Sequence, residues 1–191
     1  MALPAAAILV GAVAVSAIAP YNASAARNPQ HLSVNSRGMP GSVDVRVGEE
    51  IGAWMRREVP EGATVAIIAS GMVPYYSDVR SIDMLGVNDR YIARLDTPLG
   101  RGPAGHEKHD GGYVISRKPE IIWLGLGVEQ EPRDTVEKYY SPYTIESPVV
   151  TEITYNPYVW LLYHPVAIRL RYGWLSLLVR NDAALPFNSA R

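Results

Sequence analysis

Two short apolar runs, TVAIIA at 64–69 and EIIWLG at 120–125, limit the fold of this chain more than any other feature. Each is continuous and rich in branched residues, the pattern of a strand covered on both faces. Helix signals precede and separate them. Val47, Ile51, Trp54, Met55 and Val59 recur at three- and four-residue steps, with Glu49, Glu50, Arg56 and Arg57 opposite, and Pro60-Glu61-Gly62 stops the run. A short helix is expected through Pro74, Tyr75 and Tyr76. A strand is expected over VRSIDML, ending near Gly86, and a helix over NDRYIARL with Asn88 as its cap. This alternation predicts an α/β fold, a small Rossmann-like parallel sheet with helices packed on it. Further on, Val166, Ile168, Leu170 and Tyr172 alternate with Ala167, Arg169 and Arg171. Tyr172-Gly173 then turns the chain, and WLSLLV returns it as a hairpin. An antiparallel β tail should therefore extend the sheet.

The first twenty residues set a second constraint. ALPAAAILVGAVAVSAIAP, residues 2–20, has no charge and one hydroxyl, Ser16. It just reaches the ~17–25 residues that cross a bilayer as a helix. A cleaved signal peptide competes, since Ala23-Ser24-Ala25 has the small-x-small pattern of a cleavage site, although no Lys or Arg precedes the run. A buried helix is the third reading. The expected organisation is a membrane helix at 1–20, a polar turn-rich linker at 21–43, the α/β domain at 44–135 and a β-rich tail at 136–191. A single pass through the cell membrane would leave the soluble part on the periplasmic, extracytoplasmic side.

Composition excludes several classes. Cysteine is absent, which removes disulfides, thiolate catalysis and cysteine-based zinc frameworks. A net charge of −1 gives no nucleic-acid footprint. Hydrophobic residues at 48% supply a core for one domain plus appendages.

In an open parallel sheet, ligands bind at the carboxyl ends of the strands. Ser70-Gly71, Asp83 to Asp89 and Gly125-Leu126-Gly127 should meet there. Beside them runs a long loop, TPLGRGPAGHEKHDGG at 97–112, of the length that is usually functional or disordered. It holds two of the chain's 4 histidines, His106 and His109, with Glu107, Lys108 and Asp110. Four readings stand. His106, His109 and Asp110 could hold a metal, although two histidines three apart in a glycine loop do not match the zinc-protease spacing. Glu107 and Asp110 could act as acid and base. Glu107 and Lys108 could pin the loop to its neighbours. Lastly, His106, Glu107 and Asp83 could form a polar binding rim. Nucleotide binding is poorly supported, because the Gly125 segment lacks a third glycine. Tyr139, Tyr140 and Tyr143 could stack on a sugar or could be packing.

GMVPYYSDVRSIDMLGVNDRYIAR at 71–94 and AGHEKHDGGYVISRKPEIIWL at 104–124 together carry a resemblance. The shared elements are Tyr76-Ser77, the Asp83…Gly86 and Asn88-Asp89 strand end, Gly105-His106-Glu107-Lys108, and Lys118-Pro119 before a buried strand. They resemble the soluble C-terminal domain of bacterial GT-C class membrane glycosyltransferases, nearest the mycobacterial terminal arabinofuranosyltransferases. Such a domain follows the last membrane helix and lies on the periplasmic side. Those enzymes take sugar from a polyprenyl-phosphate donor, with a catalytic acid in the membrane part, so no catalytic residue carries over to this chain.

The expectation is thus a periplasmic domain that recognises or positions a glycan beside such a transferase. Tyr76, Asp83, Asp89, His106, Glu107 and Lys108 are its candidate binding residues. No metal and no cofactor are expected. Its partners would be the membrane, a cell-envelope glycan or polyprenyl-linked sugar, and helices of the transferase, with no nucleic acid. A self-contained metal-dependent hydrolase and a purely structural cap are the alternatives.

Overall fold

A computed structural model describes residues 45–68, 70–98, 100, 107–140 and 147–187. The amphipathic run becomes helix α1 (Val45–Glu58), with Val47, Ile51, Trp54 and Met55 buried and Arg56 and Arg57 in its last turn. The first apolar run becomes β1 (Thr64–Ile67). There follow α2 (Met72–Ser77), β2 (Arg80–Asp83), α3 (Arg90–Ala93), α4 (Gly111–Ser116) and β3 (Ile121–Trp123). A 3-10 turn at Glu137–Tyr140 leads to α5 (Pro148–Thr154) and α6 (Pro157–Leu162), and the chain closes with β4 (Tyr163–Arg169) and β5 (Trp174–Arg180). Each of α5 and α6 begins with proline, whose fixed φ and missing N–H suit a first turn. Neither helix was anticipated in the sequence.

The sheet corrects the expected class. Its order is β2-β1-β3-β5-β4, one mixed sheet and not a Rossmann-like parallel sheet carrying a tail. β1 pairs in parallel with β2 and β3, then β5 lies antiparallel to β3 and β4 antiparallel to β5. The reason lies in β5 itself: Leu175, Leu177, Leu178 and Val179 are all fully buried. A strand apolar on both faces belongs inside a sheet, whereas β4, half-buried and carrying Pro165, suits the edge. The expected membrane helix falls on residues outside those described. Among the described residues no helix is long and apolar enough to cross a membrane, and residues 1–20 lie outside them.

Two layers cover the sheet. On one face Val65, Ile67, Ile121, Trp123, Leu175, Leu177 and Val179 pack with α1, Val73 of α2 and the segment through Leu185. On the other, Ala66, Ile82, Ile122 and Leu178 meet Ile92, Val114, Val149, Val150, Ile153 and Val159 from α3 to α6.

The β3–β5 junction holds a half-dry acid. Glu129 exchanges both backbone hydrogen bonds with Trp174, at 2.8 Å each. Its side chain accepts from Ser176 Oγ at 2.7 Å and faces Arg133 at 2.6 Å. Burial nevertheless outweighs both and pushes the carboxyl above its ordinary value. Between the ordinary and the raised value, the unfolded chain releases this proton while the folded chain retains it. Stability contributed here is therefore present at low pH and falls as pH rises through that window. Denaturant titrations between about pH 4 and pH 7 should show a smaller fall for Glu129→Gln than for the wild type. An equal fall would place the acid in water.

Candidate functional site

The sequence placed its polar rim where β2 ends, and the local chemistry there is inward. Asp83, the last residue of β2, is 2% exposed. Its Oδ1 accepts from the Leu85 N–H at 3.0 Å and its Oδ2 from the Asn88 N–H at 2.5 Å. Asn88 in turn donates through Nδ2 to the Ser70 carbonyl at 3.2 Å, tying the loop after β2 to the loop after β1. Gly86 makes this turn possible with φ +75°. Asp83 therefore organises the strand-end loop.

Beyond it, two short helices start on aspartates. Asp89, and not Asn88, caps α3: its Oδ1 accepts from the N–H groups of Tyr91 and Ile92 at 2.9 and 3.0 Å. Asp110 caps α4 and accepts from the Tyr113 N–H at 2.7 Å. The two caps are cross-linked. Tyr113 donates its hydroxyl to Asp89 Oδ2, and Tyr91 donates its own to Asp110 Oδ2, each at 3.2 Å. This reciprocal bonding holds the rings stacked, with centroids 4.2 Å apart and planes 21° apart. Tyr91 is 49% exposed, so one ring face is open. Both phenols titrate above the ordinary tyrosine value, Tyr91 because it donates to the Asp110 carboxylate and Tyr113 mainly through burial. Both hydroxyls therefore remain donors near neutral pH. Arg117 lies over the Tyr113 ring at 5.8 Å.

The described end of the charged loop, from residue 107, leads into α4 and is bonded on both sides of it. Lys108 Nζ donates to the Ala93 carbonyl at 2.6 Å, a cation at the end of α3. Glu107 accepts from the Gly100 N–H at 3.4 Å. His109 Nδ1 lies 3.1 Å from Glu152 Oε1, inside ion-pair distance but without hydrogen-bond geometry. Glu152 Oε2 accepts from the Gly111 N–H at 2.7 Å, joining α5 to the start of α4.

Asp89 and Lys108 thus both bond to α3, and Asp89 also to α4, whereas the bond of Glu107 is to Gly100 of its own loop. Tyr76 does not join them, since it lies in the opposite layer, where its Cβ approaches Gly52 of α1. His106 and Tyr143 lie outside the described residues. Among the described residues no group of three or more His, Asp or Glu could hold a metal. The sequence reading missed Tyr91 and Tyr113. Their signal was an acid two or three residues ahead of each, in Asp89-Arg90-Tyr91 and Asp110-Gly111-Gly112-Tyr113, the spacing of a capped helix start.

Chemically, the arrangement offers an exposed aromatic face braced by two carboxylates, with an ammonium group at the end of the same short helix α3. Such a face suits ring stacking with hydrogen bonding at its rim, and no side chain in it is arranged as a nucleophile with a base. Comparison with curated proteins and with solved structures gives no match. One family model matches residues 37–165, from ahead of α1 into β4, and the chain belongs to that family, the domain of unknown function DUF8728.

Proposed function

We propose that this domain recognises and positions a neutral glycan, on the extracytoplasmic side and beside a polyprenyl-phosphate-sugar-dependent transferase of the GT-C class. The observation that carries the reading is the stacked pair Tyr91–Tyr113, braced between Asp89 and Asp110. A sugar ring presents C–H groups to the electron-rich face of Tyr91, and its hydroxyls reach the rim carboxylates, which accept, and Lys108, which donates. Bracing fixes the platform before the ligand arrives, which lowers the ordering cost of binding. The transferase partner and the compartment rest on the sequence resemblance. No residue is given a catalytic role.

The test is calorimetric titration of the full chain with neutral arabinan and mannan oligosaccharides. Tyr91→Ala should weaken binding about tenfold, the size expected for loss of one ring contact. Tyr91→Phe keeps the ring and should retain most of the affinity. A Tyr91→Ala protein that binds as the wild type does would remove the reading.

A structural cap is the second reading, favoured because the described bonds of Asp83, Asp89 and Lys108 all go to neighbouring groups of the fold itself, within a loop or between α3 and the segment that leads into α4. In that case the wild type binds none of these glycans.

A further inference from the structure

We infer that Tyr140, Tyr155 and Trp160 form a second sugar-stacking shelf beyond α5, so that the ligand is an oligosaccharide reaching both shelves. This rests on the glycan reading of the Tyr91–Tyr113 platform and deepens it from a sugar to a chain of sugars. Tyr140 closes the 3-10 turn, Tyr155 follows α5, and Trp160 lies on α6. Tyr140 meets Tyr155 edge-on at 5.2 Å and Trp160 at 5.8 Å. Tyr155 is 57% exposed, and Tyr158 nearby is 66% exposed.

The shelf has a fixed backing. The Trp160 indole N–H donates to the Thr154 carbonyl at 2.8 Å, which sets the ring plane. Behind it stands Tyr139, 5.8 Å away and buried, whose hydroxyl donates to the Leu177 carbonyl of β5. Asn156 caps α6 through the Tyr158 N–H at 3.0 Å.

Charge selects the ligand class. From Ile153 to Ile168 the chain has no Asp, Glu, Lys or Arg, so Tyr155 and Trp160 stand on an uncharged stretch, bordered by the acid Glu152 and by Lys138, which is paired with Asp134. A neutral polyol with C–H faces fits that chemistry, and an anionic group does not. The topology joins this shelf to the first. Glu152 of α5 bonds the start of α4, which carries Tyr113, and Tyr155 follows Glu152 by three residues on the same helical turn. Packed helices stand ~8–10 Å apart, a span wider than one sugar ring.

The experiment titrates the full chain, as wild type, Tyr91→Ala, Tyr155→Ala and Tyr155→Phe, with neutral arabinan oligosaccharides from disaccharide to hexasaccharide. In the wild type, affinity should rise with length. Tyr155→Ala should lower hexasaccharide affinity about tenfold and leave the disaccharide unchanged, while Tyr155→Phe behaves as the wild type. Tyr91→Ala should lower both. If Tyr155→Ala changes nothing while Tyr91→Ala weakens every length, the second shelf is refuted and the first stands. If the wild type binds no length, both readings fall.

Discussion

Replacing Asp83 by alanine should lower the stability of this domain by about 2–4 kcal/mol, the cost of leaving two N–H groups without their ionised acceptor. The groups are those of Leu85 and Asn88, and the carboxylate that receives them is almost fully buried. Losing it frees the loop that links β2 to α3, and with it the Asn88 bond to the Ser70 carbonyl. For a domain of this size the loss corresponds to a melting temperature lower by roughly 5–15 °C. Asp83→Asn keeps one acceptor oxygen and should lose about half as much. Urea denaturation of the three proteins reads the series directly. A fully stable alanine variant would mean that the carboxylate does not organise this loop, and Asp83 would return as a direct ligand contact.

Asp83 also shows where sequence reading stops. An aspartate before a glycine turn at a strand end looks the same whether it faces a ligand or folds back onto its own backbone, because both arrangements need a short acceptor there. Lys108 is similar: among glycines it could reach a ligand, and in the fold it reaches the Ala93 carbonyl. Legible instead were features written into local pattern. The apolar positions Val47, Ile51, Trp54 and Met55 of α1 and Val59 just beyond it are all buried, and TVAIIA and EIIWLG contain β1 and β3. The place of β5 depended on which distant strand it meets, and Ile121 pairs with Val179 across most of the domain. Its apolar run, broken only by Ser176, was the available sign of an interior strand, and the hairpin pattern hid it. The helices α5 and α6 are 7 and 6 residues long, too short for a 3.6-residue period to show. The aromatic platform was missed for a related reason: Tyr91 and Tyr113 lie on separate helices, and only the fold stacks them.

The opposite layer should respond most sharply at Gly52, where leucine should destabilise the domain by about 3 kcal/mol, near the top of the range for overpacking. Gly48 and Gly52 sit four apart on α1 and face α2, so that the two helices approach closely. A methyl group on Gly52 would stand 2.5 Å from Tyr76 Cβ and 3.2 Å from the Val73 carbonyl oxygen. Neither atom can yield without moving α2 itself. At Gly48 the nearest atom is Met72 Sδ at 2.6 Å, the flexible part of a side chain that can swing aside. Gly48→Ala also gains up to ~1 kcal/mol of helix propensity, so it should stay within about 1 kcal/mol of the wild type. Gly52→Ala gains the same propensity and still loses, and Gly52→Leu drives α1 away from α2. Thermal and urea unfolding should therefore rank Gly48→Ala above Gly52→Ala, with Gly52→Leu last. Equal effects at the two glycines would refute the close approach. Tyr76 would then no longer be held against α1, and its place among the glycan-binding candidates would reopen.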